Sequence, residues 1–297
     1  MRKVFCIIVT YNGEKWIREC LSTINETQIQ LEIVIVDNNS SDETVKIIQD
    51  EFPDVRLIAS KKNLGFGGAN NLGYNLAFEN GAEFIYLLNQ DTISYPESIC
   101  NLIRIMDNDH VVGVASPMHL NDHGTRLDKK FEQYITAASC PNYISDLSLK
   151  KRRSYYEIGF VNAAAWLIKV EVVNELGGLF SSAFYHYGED SNFLSRIRYH
   201  KKKCIIVPDV YIHHLREERG GKMSPEFEKR IISIKKVEIM MNINVSFKKS
   251  VSILYKYAGQ QFFKGNIKSG LELLFYPILS MKRIKTFRSS YRSSKII

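Results

Sequence analysis

Apolar residues in the first ninety positions fall into short blocks separated by stretches of helical spacing. Residues 4–9 (VFCIIV) and 84–88 (FIYLL) are continuous apolar runs, the pattern of a strand buried on both faces. Residues 31–36 (LEIVIV) and 55–59 read as two further strands. Between them, 14–24 place Trp16, Ile17, Cys20, Leu21 and Ile24 on one helical face. A second helix is expected over 43–52, capped by Ser41 or Asp42, and a third from the glycine-rich segment 63–70 to about residue 80. Strands alternating with helices of this length predict a mainly parallel sheet with right-handed crossovers.

The pattern continues less regularly. A helix is expected over 96–106, a strand over 111–116, and polar loops over 119–153. Residues 160–169 (FVNAAAWLIK) read as a buried strand running into a helix over 170–176, closed by Gly177 and Gly178. Phe193, Leu194 and Ile197 give a helix after Glu189 and Asp190, and 204–207 (CIIV) is a last strand before Pro208 to His214. Beyond residue 222, segments 227–243 and 251–263 have helical periodicity, and 271–281 (LELLFYPILSM) is apolar, broken by Pro277.

Composition narrows the class. A 45% hydrophobic content over 297 residues supports a substantial core. The five cysteines are odd in number, widely spaced and without a CxxC pair, so reduced thiols in a cytosolic setting are the simplest reading. The apolar run at 4–9 is too short for a signal peptide, and no charge-free run of ~18 residues predicts a spanning helix. Of 40 Lys+Arg and 32 Asp+Glu, 16 and 4 fall in residues 222–297, which makes the tail basic and the remainder mildly acidic. Such asymmetry suggests an anionic partner for the tail. A nucleic acid is disfavoured because no binding module is recognisable.

Three of the expected strands end in polar loops: Thr10-Tyr11-Asn12, Asp37-Asn38-Asn39 and Asn89-Gln90-Asp91. In a parallel sheet these emerge along one edge, where open α/β sheets bind ligands. Three such loops and a glycine-rich turn look like a nucleotide pocket. Asp37 could accept the imide N–H of a pyrimidine, and the backbone at 10–12 could approach base and ribose. Gly65, Gly67 and Gly68 would let the main chain come close to a phosphate or sugar. Asp91 could hold a hard cation that bridges phosphates, although Asn and Asp also simply form turns.

The runs IIVTYN, IVIVDNNSSD, NLGFGGANNLG and YLLNQDT resemble, in order and spacing, the nucleotide-binding half of family 2 glycosyltransferases, in their rhamnosyltransferase-like branch. The resemblance implies an α/β fold of GT-A type: a mainly parallel central sheet flanked by helices, here with a C-terminal helical extension. It implies inverting transfer from a nucleotide diphosphate sugar, dTDP-rhamnose or a UDP-sugar, with Mn²⁺ or Mg²⁺. Its nucleotide-binding positions fall on Thr10, Tyr11, Asn12, Asp37, Asn39, Asn63, Gly65, Phe66, Gly67, Asn89 and Gln90. The acidic metal motif falls on Asn89-Gln90-Asp91, where Asp91 is the sole carboxylate. The expected organisation is a catalytic domain over 1–221, split into a nucleotide half (1–92) and an acceptor half (93–221), and a basic helical region over 222–297.

Glu189 and Asp190 open a helix, where acids are favoured by the macrodipole. They are also suited to general base catalysis, because an acceptor hydroxyl needs a carboxylate to take its proton. The resemblance makes Asp190 the base and Glu189 its neighbour in acceptor binding; the family's further acid is Asn192 here. A metal-binding His is placed at His213, with His214 as the alternative and a merely structural pair as the plain reading. Arg216 and Arg219 could close over the diphosphate. Trp166 could stack on a sugar or pack in the core, and Lys150 to Arg153 could face an anionic acceptor or form a solvated turn. The basic tail suits an anionic membrane surface. It also suits a helical subdomain packed on the core, or a homodimer contact. The resemblance implies surface-polysaccharide synthesis (O-antigen type) on a saccharide or lipid-linked saccharide acceptor, with the enzyme peripheral at the cytoplasmic face of the plasma membrane. The rivals are a nucleotidyltransferase and a non-catalytic, membrane-associated nucleotide-sugar binding protein.

Overall fold

The computed structural model describes residues 2–215 and 224–293. The chain begins β1 (Val4–Thr10), α1 (Ile17–Asn25), β2 (Leu31–Asp37), α2 (Thr44–Glu51), β3 (Arg56–Ala59), α3 (Gly65–Glu79) and β4 (Phe84–Asn89). Strands β3, β2, β1 and β4 lie side by side and all parallel, as the alternation of elements predicts. The inner strands β1 and β4, and β2 from Ile33 to Val36, are apolar because each face meets a different layer, whereas β3 at the edge carries the exposed Arg56. Phe5 and Ile7, Val34 and Val36, and Ile85 and Leu87 face one core, shared with α3. Val4, Cys6 and Ile8, Ile33 and Ile35, and Phe84, Tyr86 and Leu88 face another, shared with α1 and α2. Period-2 alternation between two buried faces leaves no polar position along those stretches.

The second half contributes β5 (Thr92–Ser94), α4 (Ser98–Asn108), β6 (Val112–Leu120), α5 (Lys129–Tyr134), α6 (Tyr143–Ser148), β7 (Tyr156–Glu157), β8 (Ala165–Lys169), α7 (Val170–Glu175), α8 (Glu189–Tyr199) and β9 (Lys203–His214). Here the sheet becomes mixed. β8 inserts antiparallel between β4 and β6, β6 and β9 run parallel, and β5 and β7 pair antiparallel with β9. Three expectations change. The strand expected over 160–169 starts only at Ala165. The loops expected over 119–153 include the end of β6 and two short helices. The last strand runs to His214 rather than stopping at residue 207, because it bulges against β6 at 208–210, where Pro208 and Asp209 sit.

The tail forms α9 (Pro225–Met241), α10 (Phe247–Phe263), α11 (Ile267–Leu279) and α12 (Met281–Arg292). Pro277 lies inside α11 rather than ending it. These helices enclose their own core of Met240, Met241, Leu254, Ala258, Leu273 and Ile284, which Phe184 joins from the catalytic half. The tail therefore packs on the core, one of the roles its sequence allowed. Asn244 Nδ2 donates to the Ser195 carbonyl at 2.8 Å, and Arg196 lies over the Tyr291 ring at 4.5 Å. The expected boundary at 221/222 falls outside the described residues.

Candidate active site

The register of the parallel strands sets the site. Thr10 is opposite Asp37 and Val9 is opposite Asn89, so the three polar loops leave the sheet together. Asp37 is buried and fixed: Thr10 Oγ1 donates to its Oδ1 at 2.9 Å and the Ser40 amide to its Oδ2 at 2.9 Å. Asn12 and Asn39 adopt left-handed φ of 47° and 70°, which Asn tolerates better than other non-glycine residues. Asn12 Oδ1 accepts from the Ser41 amide at 2.9 Å, tying the first loop to the second. Gln90 clamps the first loop from the other side. Its Oε1 accepts from the Tyr11 amide at 2.9 Å and its Nε2 donates to the Tyr11 carbonyl at 3.2 Å. Gln90 thus holds both main-chain polar groups of Tyr11, as a neighbouring strand would. The Tyr11 ring remains exposed.

The glycine-rich turn is held against these loops. Asn38 accepts from the Leu64 amide at 2.7 Å and donates to the Gly65 carbonyl at 3.3 Å, while Asn63 Oδ1 accepts from the Gly65 amide at 2.9 Å. Gly65 has φ 73°, and a Cβ there would collide with the Tyr185 carbonyl oxygen. Tyr185 also donates its hydroxyl to the Asn63 carbonyl at 3.0 Å. Phe66 packs on Phe180 with ring centroids 5.7 Å apart. A Cβ on Gly67 would lie 3.6 Å from the Glu189 side chain. That is ordinary contact distance, so the start of α3 lies beside the start of α8; the tight neighbour of such a Cβ is Phe180 Cβ at 3.3 Å.

Asp91 receives its partner through β5. Thr92 is in register with His214, and the Leu215 amide donates to the Asp91 carbonyl at 2.7 Å. His214 is buried and its Nε2 lies 3.5 Å from Asp91 Oδ1. His213, one residue earlier, points to the opposite face of the strand. There its Nε2 meets the Tyr95 hydroxyl at 2.7 Å and its Nδ1 the Asp122 carbonyl at 3.2 Å. The expectation for His213 is corrected: His214 is the histidine beside Asp91. His119 backs it edge-on, centroids 6.0 Å apart, itself held by Ser116 Oγ at 3.2 Å. Among the described residues no group of three or more His, Cys, Asp or Glu side chains gathers as a metal cage. The Asp91–His214 pair is an oxygen and nitrogen donor set that leaves most coordination positions to other ligands.

The carboxylates of α8 lie at the end of a strained approach. Tyr187 and Gly188 have φ of 72° and 91°. Glu189 is buried, and its Oε2 finds no hydrogen-bond partner among the described residues. Burial pushes its pKa up to about 7, with the neighbouring Asp190 charge adding to the effect. Burial also pushes Asp190 up to about 6, helped by Glu238 of α9, against the Ser191 amide that donates to Asp190 Oδ1 at 2.7 Å. A carboxylate kept only for the macrodipole should sit in water with a lowered pKa. These two are shifted the other way, towards the range where a carboxylate takes protons at neutral pH.

Residues 5–177 match the family model "Glycosyl transferase family 2". The chain belongs to glycosyltransferase family 2. It is 24% identical over 220 residues to the dTDP-rhamnosyl transferase RfbF of Shigella flexneri, covering 74% of this chain and 71% of that protein. The S. aureus TarS 1–349 structure in complex with UDP-GlcNAc superposes with a TM-score of 0.60 at 17% identity, over 99% of this chain and 92% of that one. A structure of GalNAc-T7 with UDP, GalNAc and Mn²⁺ gives a TM-score of 0.60 at 16% identity, over 79% of this chain and 48% of that one. The fold is GT-A, and the protein is a transferase.

Elsewhere in this glycosyltransferase the structure chooses between readings that the sequence offered, and adds two residues it did not single out. Trp166 is fully buried, tilted against Phe180 and Phe193 at 6.5 and 6.0 Å, so it packs the core and offers no face to a sugar. Arg152 pairs with Asp209, and Arg153 with Asp146 at 2.7 Å, on a largely exposed segment, which favours the solvated-turn reading of that basic run. Arg216 and Arg219 lie outside the described residues. Asn38 was missed, although its place inside the DNNS run was the available signal. Arg196 was missed too: fully buried, it donates to the carbonyls of Leu176, Gly178 and Leu179 and fixes the segment leading to α8.

Proposed function

We propose that this glycosyltransferase moves a sugar, rhamnose being the first candidate, from a dTDP- or UDP-sugar to a hydroxyl of a saccharide or lipid-linked saccharide, with inversion. The observation that carries the reading is the contact between the glycine turn and α8. Gly67 sits against Glu189, which brings two carboxyls of raised pKa to the edge of the nucleotide loops. Asp37 would accept from the base, Tyr11 would cover it, and Asn63 and Gly65 would present backbone to ribose or diphosphate. Asp190 takes the proton of the acceptor hydroxyl as its oxygen bonds to the anomeric carbon and the bond from that carbon to the diphosphate breaks. One displacement from the face opposite the leaving group inverts the centre.

Asp91 and His214 would hold Mn²⁺ or Mg²⁺, and their oxygen and nitrogen donors suit either ion. A cation bound there would neutralise charge on the departing diphosphate. We also place the enzyme peripherally on the cytoplasmic face of a membrane. The supporting observation is the 16 basic against 4 acidic residues in 222–297.

The test is thermal stabilisation by a panel of nucleoside diphosphates and their sugars, with and without Mn²⁺ or Mg²⁺. At ~100 times its dissociation constant a ligand adds about 2.7 kcal/mol. Stabilisation by dTDP or UDP, larger with metal, supports the reading and names the base. No response to any nucleotide overturns it. Stabilisation without turnover of any sugar nucleotide points to the non-catalytic rival.

A further inference from the structure

Helix α11 has two apolar sides, and only one has a partner. Gly270, Leu273 and Pro277 face inward and are buried. Ile267, Leu271, Phe275 and Ile278 follow one another at intervals of four, four and three residues, which sets them on one face of the helix, turned away from the buried side. With Leu279 and the preceding Phe263 they are between 45 and 96% exposed. Six large apolar side chains this close together exceed the scattered exposure normal for a soluble surface.

Their surroundings carry one sign of charge. Lys264 and Lys268 precede and border the stripe, and Lys282, Arg283 and Lys285 follow it, all exposed. The acid within α11, Glu272, is engaged by Lys236 of α9. Not every basic residue of the tail belongs to this rim. Arg288 turns inward and donates to the carbonyls of Met240, Asn242 and Val245, and Arg292 to those of Ile243 and Val245. Two copies meeting through this face would bring cation rim against cation rim, because a two-fold contact pairs a patch with itself. No described helix is long and apolar enough to cross a membrane.

We propose that the outer face of α11, extended by Phe263, docks on a bilayer surface containing anionic lipid headgroups. The apolar stripe enters the boundary between headgroups and acyl chains. The rim lysines and Arg283 lay their stems along it and meet lipid phosphates. This rests on the membrane placement proposed above, not on the transfer reaction.

The test uses the full chain and vesicles of phosphatidylcholine, with and without phosphatidylglycerol. Expected is flotation with the anionic vesicles that weakens as salt rises. Leu271→Asp with Phe275→Asp should lower partitioning at least tenfold, and so should Lys264→Gln, Lys268→Gln, Lys282→Gln and Arg283→Gln together. Both variants should keep the melting temperature and the nucleotide response of the parent, which separates this proposal from the fate of the transfer reading. Wild-type protein that stays off anionic vesicles, or variants that partition like it, would overturn the docking face. A dimer by light scattering that Leu271→Asp dissociates would give the face to a second copy and overturn it equally.

Discussion

Asp190 and Glu189 are drawn out of water at the first turn of α8, and their raised pKa values have consequences of opposite sign for activity and stability. As the proposed base, Asp190 with a pKa of about 6 must be ionised to work, so the transfer rate should rise tenfold per pH unit below about 6 and level off above it. Asp190→Asn should lose at least ~10²-fold in kcat. The folded-state pKa lies above the unfolded one, so the stability this group confers is present at low pH and lost as pH rises through about 6. Asp190→Asn should then unfold at higher urea than the parent at pH 7.5, by about 1 to 3 kcal/mol, with the gain vanishing near pH 4. An inactive variant that is also less stable would place Asp190 in the architecture instead. For the proposed metal pair, His214→Ala should weaken the Mn²⁺ dependence of nucleotide binding at least ~10-fold, while His213→Ala leaves it unchanged. The sequence could not choose between these two histidines, since adjacent residues of a strand differ only in face and β5 decides which face meets Asp91. For Trp166 the apolar run favoured the core over a sugar subsite, and the structure buries it there.

At the scale of elements, the joint between α3 and α8 carries the site. Gly65 is left-handed and lies under the Tyr185 carbonyl, so Gly65→Ala combines backbone strain with a collision. The expected cost is about 1–3 kcal/mol in urea unfolding, with weaker nucleotide stabilisation, because Asn38 and Asn63 both hold this peptide. Gln90→Ala should leave stability nearly unchanged and weaken nucleotide binding by releasing the Tyr11 peptide. The elements on the nucleotide side were legible: β1, β2 and β4 are buried on both faces, and their loops announce the strand ends. The elements beyond β4 were less so. β5 is three residues long, β8 begins five residues later than its apolar run, and β9 passes through Pro208 by bulging against β6. A bulge and an antiparallel insertion depend on the neighbouring strand, which a linear pattern does not display.

For the whole molecule, the question is whether the basic tail serves a membrane, the catalytic half, or both. The tail's basic residues fall into two groups, one turned into the helical core and one exposed along the proposed docking face. Arg288 gathers the carbonyls at the junction of α9 and α10, inside the same helical core that Phe184 enters from the catalytic half. Asn244 holds the Ser195 carbonyl in α8, whose first turn carries Asp190. A change at Arg288 should therefore be felt as lost stability. Arg288→Gln leaves buried carbonyls short of donors and should cost on the order of 3 kcal/mol, which corresponds to roughly 5–10 °C in Tm for a chain of this size. Arg283→Gln touches the exposed rim and should leave Tm within a degree or so while weakening flotation with anionic vesicles. The two arginines are five residues apart on the same helix, so their net charge effect is the same and only their direction differs. Scanning calorimetry and flotation on both variants separate the roles. Equal loss of Tm in the two would mean that α12 unfolds as a unit whichever arginine is removed. Equal loss of flotation with Tm unchanged would mean that the tail responds only to its total charge.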